Sequence, residues 1–386
     1  MKLSSINVKS VIATIKYMSA FCITRFYKND CWIISERPTQ ARDNGYRFFK
    51  YMREKHPNKQ TYYLIHKKAK DYKKISKYGN IIQFDSFKHY LLYCQSKIHI
   101  SAHVNGCCPN GAIGISRRTK NLLGFKDVFV PHGVSYSVSE FCLKKYADIN
   151  LFICSGKPEY DNVLANYGYS ENEVSYTGFP RLDGWHNVKV KKNQILLMPT
   201  WRLYLAQNPN TVFEQTKYYG AYQSVLKNKR LSDFLVANDL ELVFYLHNDM
   251  RKYVGSFCTD CPNIEIVDSD EKYDIQELLK SAALMVTDYS SVHFDFAYME
   301  KPIVYYQFDQ DEFYTKQYKN SGFHAETDGF GPVVYDDYAL VNEIMLAYKN
   351  NFEMPLVYKN KMLNFYELHD DKNCDRVYER ILKLGF

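Results

Sequence analysis

The stretch Ala282-Ala283-Leu284-Met285-Val286-Thr287-Asp288-Tyr289-Ser290-Ser291-Val292-His293-Phe294-Asp295-Phe296-Ala297 reads as a strand that turns through a polar bend into a helix. Ala282 to Val286 is an uninterrupted apolar run, the pattern of a strand buried on both faces of a parallel sheet. Ser290 and Ser291 then fall at the first turn of a helix, where free backbone N–H groups and the helix dipole favour an anion. Asp295 lies one helical turn further in, within reach of the sugar of a phosphorylated ligand held there. Asp and Ser are also the usual helix starters, so capping competes as an explanation of the same residues.

The strand with a polar end recurs. Cys31–Ser35, Tyr62–Ile65, Ile81–Phe84, Ile98–Ile100, Val128–Val130 and Leu151–Cys154 are short β-rich runs separated by helical or loop-like segments. After a lysine-rich junction at 189–193 a second series follows: Ile195–Met198, Leu242–Leu246, Ile264–Val267, Leu284–Val286, Ile303–Tyr306 and Val333–Tyr335. This alternation predicts an α/β fold of two doubly wound, Rossmann-like domains, 1–190 and 191–386, facing across a cleft. The last helix is a candidate to pack back on the first domain.

Ligands of open α/β sheets bind beyond the carboxyl ends of the strands. Pro131-His132-Gly133 follows the run at 128, Pro199-Thr200-Trp201-Arg202 the run at 195, His247 the run at 242, and Asp288 to Ser291 the run at 284. Four strand ends that carry His, Arg, His and a serine pair predict a shared anion site. The spacings of a phosphate loop, a dinucleotide fingerprint, a metal-binding H-E-x-x-H helix and a G-x-S-x-G nucleophile elbow are all missing. Ser290 and Ser291 have no base nearby in sequence, so hydrogen-bond donation suits them better than nucleophilic attack.

Composition bounds the class. The chain has 386 residues, 46% of them hydrophobic and 24% charged, as in a soluble globular protein of two domains. Its formal net charge of +7 suits anionic partners without choosing among nucleotides, phosphate polymers and an acidic membrane surface. The ten cysteines are scattered, and the single Cys258-x-x-Cys261 has no second pair to complete a zinc site. Reduced thiols in the cytosol are therefore expected. There is no apolar run of 18 residues and no signal-peptide pattern at the N-terminus, so neither export nor membrane spanning is expected. Within 8–22, Val8, Val11, Ile12, Ile15, Met18 and Cys22 recur at helical spacing among Lys9 and Lys16, with Arg25 and Lys28 beyond. Such a helix either lies on a membrane surface or packs on its own domain.

Taken in order, these motifs resemble the CDP-glycerol glycerophosphotransferases, bacterial enzymes that build teichoic acids and related glycerol-phosphate capsule polymers. The resemblance spans nearly the whole chain: Trp32-Ile33-Ile34-Ser35-Glu36-Arg37, Ala41 to Tyr51, His132-Gly133, Gly178-Phe179-Pro180-Arg181-Leu182-Asp183, Pro199-Thr200-Trp201-Arg202, Asp288 to Ala297 and Lys301-Pro302-Ile303. It implies the GT-B fold, with nucleotide held mainly by the C-terminal half. It also implies that an acceptor hydroxyl attacks the β-phosphorus of CDP-glycerol, releasing CMP and forming a phosphodiester.

On this reading His132 is the candidate general base, with Gly133 leaving room for the ligand. Glu140 is one acid that would orient it. Arg202 and His247, with the Ser290 and Ser291 hydroxyls, are the candidate donors to the diphosphate, and Thr200, Asp288 and Asp295 complete the substrate-binding set, Asp295 matching the family's ribose position. No metal and no cofactor are required beyond CDP-glycerol as donor substrate. His103, His293 and His324 are read as structural, and Asp43, Asn44 and Gly45 as a helix entry. The expected acceptor is a polysaccharide or lipid-linked chain at the inner face of the cell membrane, with a cytoplasmic, peripherally associated enzyme, other polymer-synthesis enzymes as partners and no nucleic acid. Two departures from the family pattern stand out: Leu203 replaces an acidic residue, and Tyr245-Leu246-His247-Asn248-Asp249 differs from the common surroundings of that histidine. CDP-ribitol as donor, a nucleotide-sugar glycosyltransferase and a catalytically inactive polymer-binding relative remain the alternatives.

Overall fold

The structure, a computed structural model, describes residues 8–27, 29–186, 188–268, 273–317 and 322–385, so Lys28 lies outside the described residues. The chain divides into two compact units, one of Met1–Ser135, Ser139–Asp183 and Asp370–Phe386, the other of Tyr136–Val138 and Gly184–His369. Each is a Rossmann-like parallel sheet with helices.

In the first unit the strands are β1 (Asn29–Ser35), β2 (Thr61–Ile65), β3 (Ile81–Gln83), β4 (Ser96–Ser101), β5 (Lys126–Phe129), β6 (Leu151–Cys154) and β7 (Val174–Tyr176), in the order β3-β2-β1-β4-β5-β6-β7. Every pairing is parallel. The chain winds outward from β1 to β3 and then returns to the other side of β1, so the strand order reverses between β1 and β4. Trp32, Ile33 and Ile34 of this central strand are fully buried, which explains their uninterrupted apolar run. β7 was not among the expected strands: three residues with one apolar side chain facing the core carry too little pattern to read.

Two helices fix the outer parts of this unit. The helix Val8–Thr24 seats Ala13, Tyr17, Ala20 and Thr24 inward, a stripe at i, i+4, i+7 and i+11. The helix Asn373–Leu382 is anchored by the Gly178 to Asp183 motif. The Asp183 carboxylate accepts the N–H groups of Asn373 and Cys374, both at 2.9 Å, and Arg376 Nε donates to the Thr177 carbonyl at 2.7 Å. Gly178 has φ +78°, and a Cβ there would lie 1.9 Å from Asn373 Oδ1, so only glycine admits this approach.

The second unit has β8 (Lys191–Leu197), β9 (Glu241–Phe244), β10 (Ile264–Ile266), β11 (Ala282–Thr287), β12 (Ile303–Tyr306) and β13 (Val333–Val334), in the order β10-β9-β8-β11-β12-β13. These pairings are parallel too, and the order reverses between β8 and β11. One core packs Ile195, Leu197, Leu242, Phe244, Leu284 and Val286 against Tyr218, Tyr222, Val225 and Tyr253. Buried Lys301, just before β12, donates to the carbonyls of Leu279, Lys280 and Ala282, which closes the end of the helix Ile275–Ser281.

Candidate functional site

In the second unit the polar residues gather at the carboxyl ends of β8, β11 and β12, beside the reversal of strand order. Arg202 is their hub and is fully buried. Its Nε and Nη2 grip Asp309 at 2.9 and 3.0 Å, Nη2 also reaches Asp288 at 2.8 Å, and Nη1 donates to the Thr200 carbonyl at 2.9 Å. The rings of Tyr218, Tyr289 and Phe313 surround the guanidinium at 5.1, 5.1 and 4.7 Å. Burial works against its charge, and the Asp288 and Asp309 carboxylates overcome this, holding the group well above its ordinary pKa.

Asp288 is likewise fully buried and spends its oxygens on protein. Oδ1 accepts the backbone N–H groups of Thr200 (2.8 Å) and Tyr289 (2.7 Å), and Oδ2 accepts Tyr222 as well as Arg202. Thr200 Oγ1 takes the Tyr289 N–H at 3.2 Å, and Gln307 donates to the Asp288 carbonyl at 2.9 Å. The Tyr289 ring stacks on Phe313 with centroids 3.7 Å apart. Three residues that the sequence suggests as ligand contacts, Thr200, Arg202 and Asp288, are thus committed to bonds that fix the backbone just before the serine pair.

The serines themselves are placed differently. Ser290 is half-buried and Ser291 exposed, immediately before the helix Val292–Tyr298. Ser291 occupies the N-cap position yet makes no side-chain capping bond, and neither hydroxyl has a partner among the described residues. The capping explanation of this pair therefore does not describe the geometry. Asp295 is buried in the first turn of that helix. His293, two residues earlier, sits among Phe294, Phe323 and Phe330 with Nδ1 2.6 Å from the Tyr305 hydroxyl. Burial pushes its pKa down to about 3, in keeping with a structural histidine.

His247 follows β9 and accepts the Asp249 N–H through Nδ1 at 3.3 Å. Its ring lies nearly parallel to Trp201, with centroids 5.9 Å apart, so two strand ends pair an imidazole with an indole. Elsewhere in this unit, His324 borders an open recess of about 650 Å³ with Gln310, Asp311, Tyr314, Thr315 and Glu326.

In the first unit His132 and Gly133 form a bend after β5, and His132 is exposed. Crowding by protein lowers its pKa; Asp43 acts in the opposite direction, supported by the Ala102 carbonyl, while Arg181 and Arg37 add to the lowering. Glu140, the acid suggested by sequence, instead sits exposed on a short turn. The His103 ring lies 5.0 Å from that of His132, and burial pushes its pKa down to about 4.

Asp43 heads the helix Asn44–Lys55, accepting the Asn44 N–H at 2.8 Å and the Arg181 guanidinium at 3.0 Å on the same oxygen. Asn44, fully buried, donates to the Pro131 carbonyl at 2.7 Å and accepts the Arg181 N–H at 3.0 Å. Close by, the buried Glu36 carboxylate accepts the N–H groups of Arg42, Asp43 and Tyr46. Burial, then Asp43, pushes its pKa up to about 7 against those three bonds.

Sequence reasoning passed over Asp309 and Tyr222, left the work of Asp43 undecided, quoted Arg181 only within a motif and read His103 as structural. The Asp43-Asn44 and Arg181 motifs were visible, but nothing local joins positions 138 residues apart.

Residues 16–383 match the family described as CDP-Glycerol:Poly(glycerophosphate) glycerophosphotransferase. The chain is 32% identical over 372 residues to the minor teichoic acid biosynthesis protein GgaB of Bacillus subtilis (strain 168), covering 94% of this chain and 40% of that protein. It is 26% identical over 282 residues to the teichoic acid poly(ribitol-phosphate) polymerase of Bacillus spizizenii, covering 70% of this chain and 39% of that one. The chain thus spans about 40% of the length of these curated relatives. In structure it is similar to the wall teichoic acid polymerase TagF, H548A variant, with a TM-score of 0.66, 15% identity and 98% of both chains covered, which supports the GT-B-like fold.

Proposed function

The chain belongs to the CDP-glycerol:poly(glycerophosphate) glycerophosphotransferase family, and on that premise we propose that it transfers glycerol phosphate from CDP-glycerol to a hydroxyl of a lipid-linked or growing teichoic-acid-like acceptor. The observation that carries the reading is the serine pair: two hydroxyls with no partner among the described residues, on a loop whose preceding backbone is held by Asp288, Thr200 and Arg202. Rigid donors of this kind suit a diphosphate, because phosphoryl transfer needs positioning and charge neutralisation more than covalent chemistry.

In the proposed reaction His132 takes the proton of the acceptor hydroxyl while its oxygen bonds to the β-phosphorus. The bond from that phosphorus to the bridging oxygen breaks, and CMP leaves with the electron pair. Ser290 and Ser291 donate to the diphosphate, His247 with Trp201 offers a further donor, and Asp295 receives the ribose. Arg202 acts through Asp288 and Asp309 rather than on the ligand. In domain terms, the first unit serves the acceptor and the second the nucleotide.

Peripheral attachment to the inner face of the membrane belongs to the same proposal. No described helix is long and apolar enough to cross a membrane. The helix Val8–Thr24 turns Val11, Ile12, Ile15, Met18 and Ile23 outward, opposite its packed stripe, with Arg25 exposed beside them. An amphipathic surface of this kind suits anionic lipid.

The test is CMP release from CDP-glycerol with a glycerol-phosphate-primed acceptor or membrane extract, run beside CDP-ribitol and UDP-sugars and repeated with His132→Ala. Acceptor-dependent CMP release that disappears in the variant supports the reading and identifies the polyol. Turnover of a UDP-sugar alone replaces it with a glycosyltransferase.

A further inference from the structure

We propose that Asp43 is the positioning residue for His132: held by Arg181 and by the start of the Asn44–Lys55 helix, it supplies the negative charge that lets the imidazole take and keep the acceptor proton. The inference rests on the transferase reading for its catalytic consequence, but not for the coupling between the two side chains.

The geometry is built from three strand ends and one turn of the first unit. Asn44 joins the Asp43 segment to the His132 loop directly, since its side chain donates to the Pro131 carbonyl at 2.7 Å. Asp43 and His132 are therefore each one residue from the same hydrogen bond. Arg181, only 5% exposed, locks Asp43 at 3.0 Å and binds Asn44 through its own N–H. A base that accepts a proton becomes a cation, and a fixed carboxylate nearby stabilises that cation without having to accept the proton itself.

The charged groups that act on His132 are Asp43 from the helix start, Arg37 after β1 and Arg181 from the Pro180–Leu182 turn, and the His103 ring after β4 lies 5.0 Å from its own. Arg37 and Arg181 oppose a charged His132, so Asp43 is the acid among them that favours it. His103 stays neutral at working pH because burial pushes it to about 4, and so it does not compete for the proton. The serine pair and Arg202 play no part in this cluster, which belongs wholly to the first unit.

Two substitutions of opposite sign separate a charge effect from structural damage. Asp43→Asn keeps a side-chain oxygen for the helix start and for Arg181 while removing the charge. Arg37→Gln removes an exposed positive charge. The NMR titration midpoint of the His132 ring is expected to fall by about 1 unit in Asp43→Asn and to rise in Arg37→Gln. In the transferase assay Asp43→Asn lowers kcat roughly tenfold, shifts the acid limb of the pH profile downward and leaves KM for CDP-glycerol within about twofold. A His132 midpoint that moves in neither variant, or moves the same way in both, overturns the inference. A midpoint that moves as expected in a protein without transferase activity leaves the coupling standing and removes the proposed reaction instead.

Discussion

Arg202 and Asp309 lie 107 residues apart and meet as a buried two-point ion pair, Nε to Oδ2 at 2.9 Å and Nη2 to Oδ1 at 3.0 Å. The same guanidinium holds Asp288, so one side chain ties the ends of β8 and β11 to the segment after β12. Lysine keeps the charge but not the planar fork. Arg202→Lys is therefore expected to lose about 1.5–3 kcal/mol of stability, the usual worth of a lost hydrogen bond to a charged group. Chemical denaturation checks this, and CDP-glycerol binding is expected to weaken with it, because the Asp288 to Ser291 backbone loses its anchor. Unchanged stability with unchanged binding would show that the network positions nothing.

The serine pair predicts the reverse combination. Neither hydroxyl supports the fold among the described residues, so Ser290→Ala and Ser291→Ala are expected to unfold like the parent protein. On the proposed reading each removes one donor to a charged oxygen, about 1.5–3 kcal/mol, and is expected to weaken CDP-glycerol binding by roughly tenfold or more. Calorimetric titration with CDP-glycerol reads this directly. A variant that binds normally takes its serine out of the site.

How far the sequence carried depended on the range of the interaction. Trp32-Ile33-Ile34 and Ala282 to Val286 announce buried strands because the pattern is local, and the polar residues after them mark the ligand end of each sheet. The same local view could not show where the bonds of Arg202 and Asp288 go. A cation and a carboxylate at strand ends look alike whether they face a ligand or each other, and only the fold brings up Asp309 and Tyr222 to consume their bonds. Glu140 was the near neighbour of His132 in sequence, whereas the fold ties the residue after Asp43 to the residue before His132. The exposed edge of the Val8–Thr24 helix was legible as an apolar stripe, but Ala13, Tyr17, Ala20 and Thr24, which pack it down, form a second and smaller stripe that the first one hides.

Two buried histidines set an acid limit on stability. His89 is fully buried between the Asp85 N–H and the Cys107 carbonyl, and burial pushes it down to about 4; His293 is pushed to about 3. Both groups are depressed in the folded protein, while in the unfolded chain they titrate near 6.5. As pH falls below that value the unfolded chain binds more protons, and stability drops until the folded groups titrate. For His89 the loss between pH 6.5 and about 4 is about 3 kcal/mol. Urea unfolding from pH 7 to 4 is expected to show a slope that His89→Gln reduces. The same slope in both proteins would remove His89 from the acid transition.

The helix Val8–Thr24 makes the last prediction. Ile12, Ile15, Met18 and Ile23 are 48%, 60%, 41% and 61% exposed, while the stripe that holds the helix to its unit is elsewhere on its surface. Replacing the four with Gln therefore leaves the folded unit intact and removes the apolar surface that would enter a lipid interface. Each such side chain is worth about 1.5–3 kcal/mol when fully buried, and nearby basic residues add about 1 kcal/mol apiece on an anionic surface. Co-sedimentation with vesicles rich in anionic lipid is expected for the parent protein, reduced at high salt and lost in the fourfold variant, with CMP release from a soluble acceptor retained. Equal sedimentation of both proteins would mean that the exposed face of this helix does not carry the membrane contact.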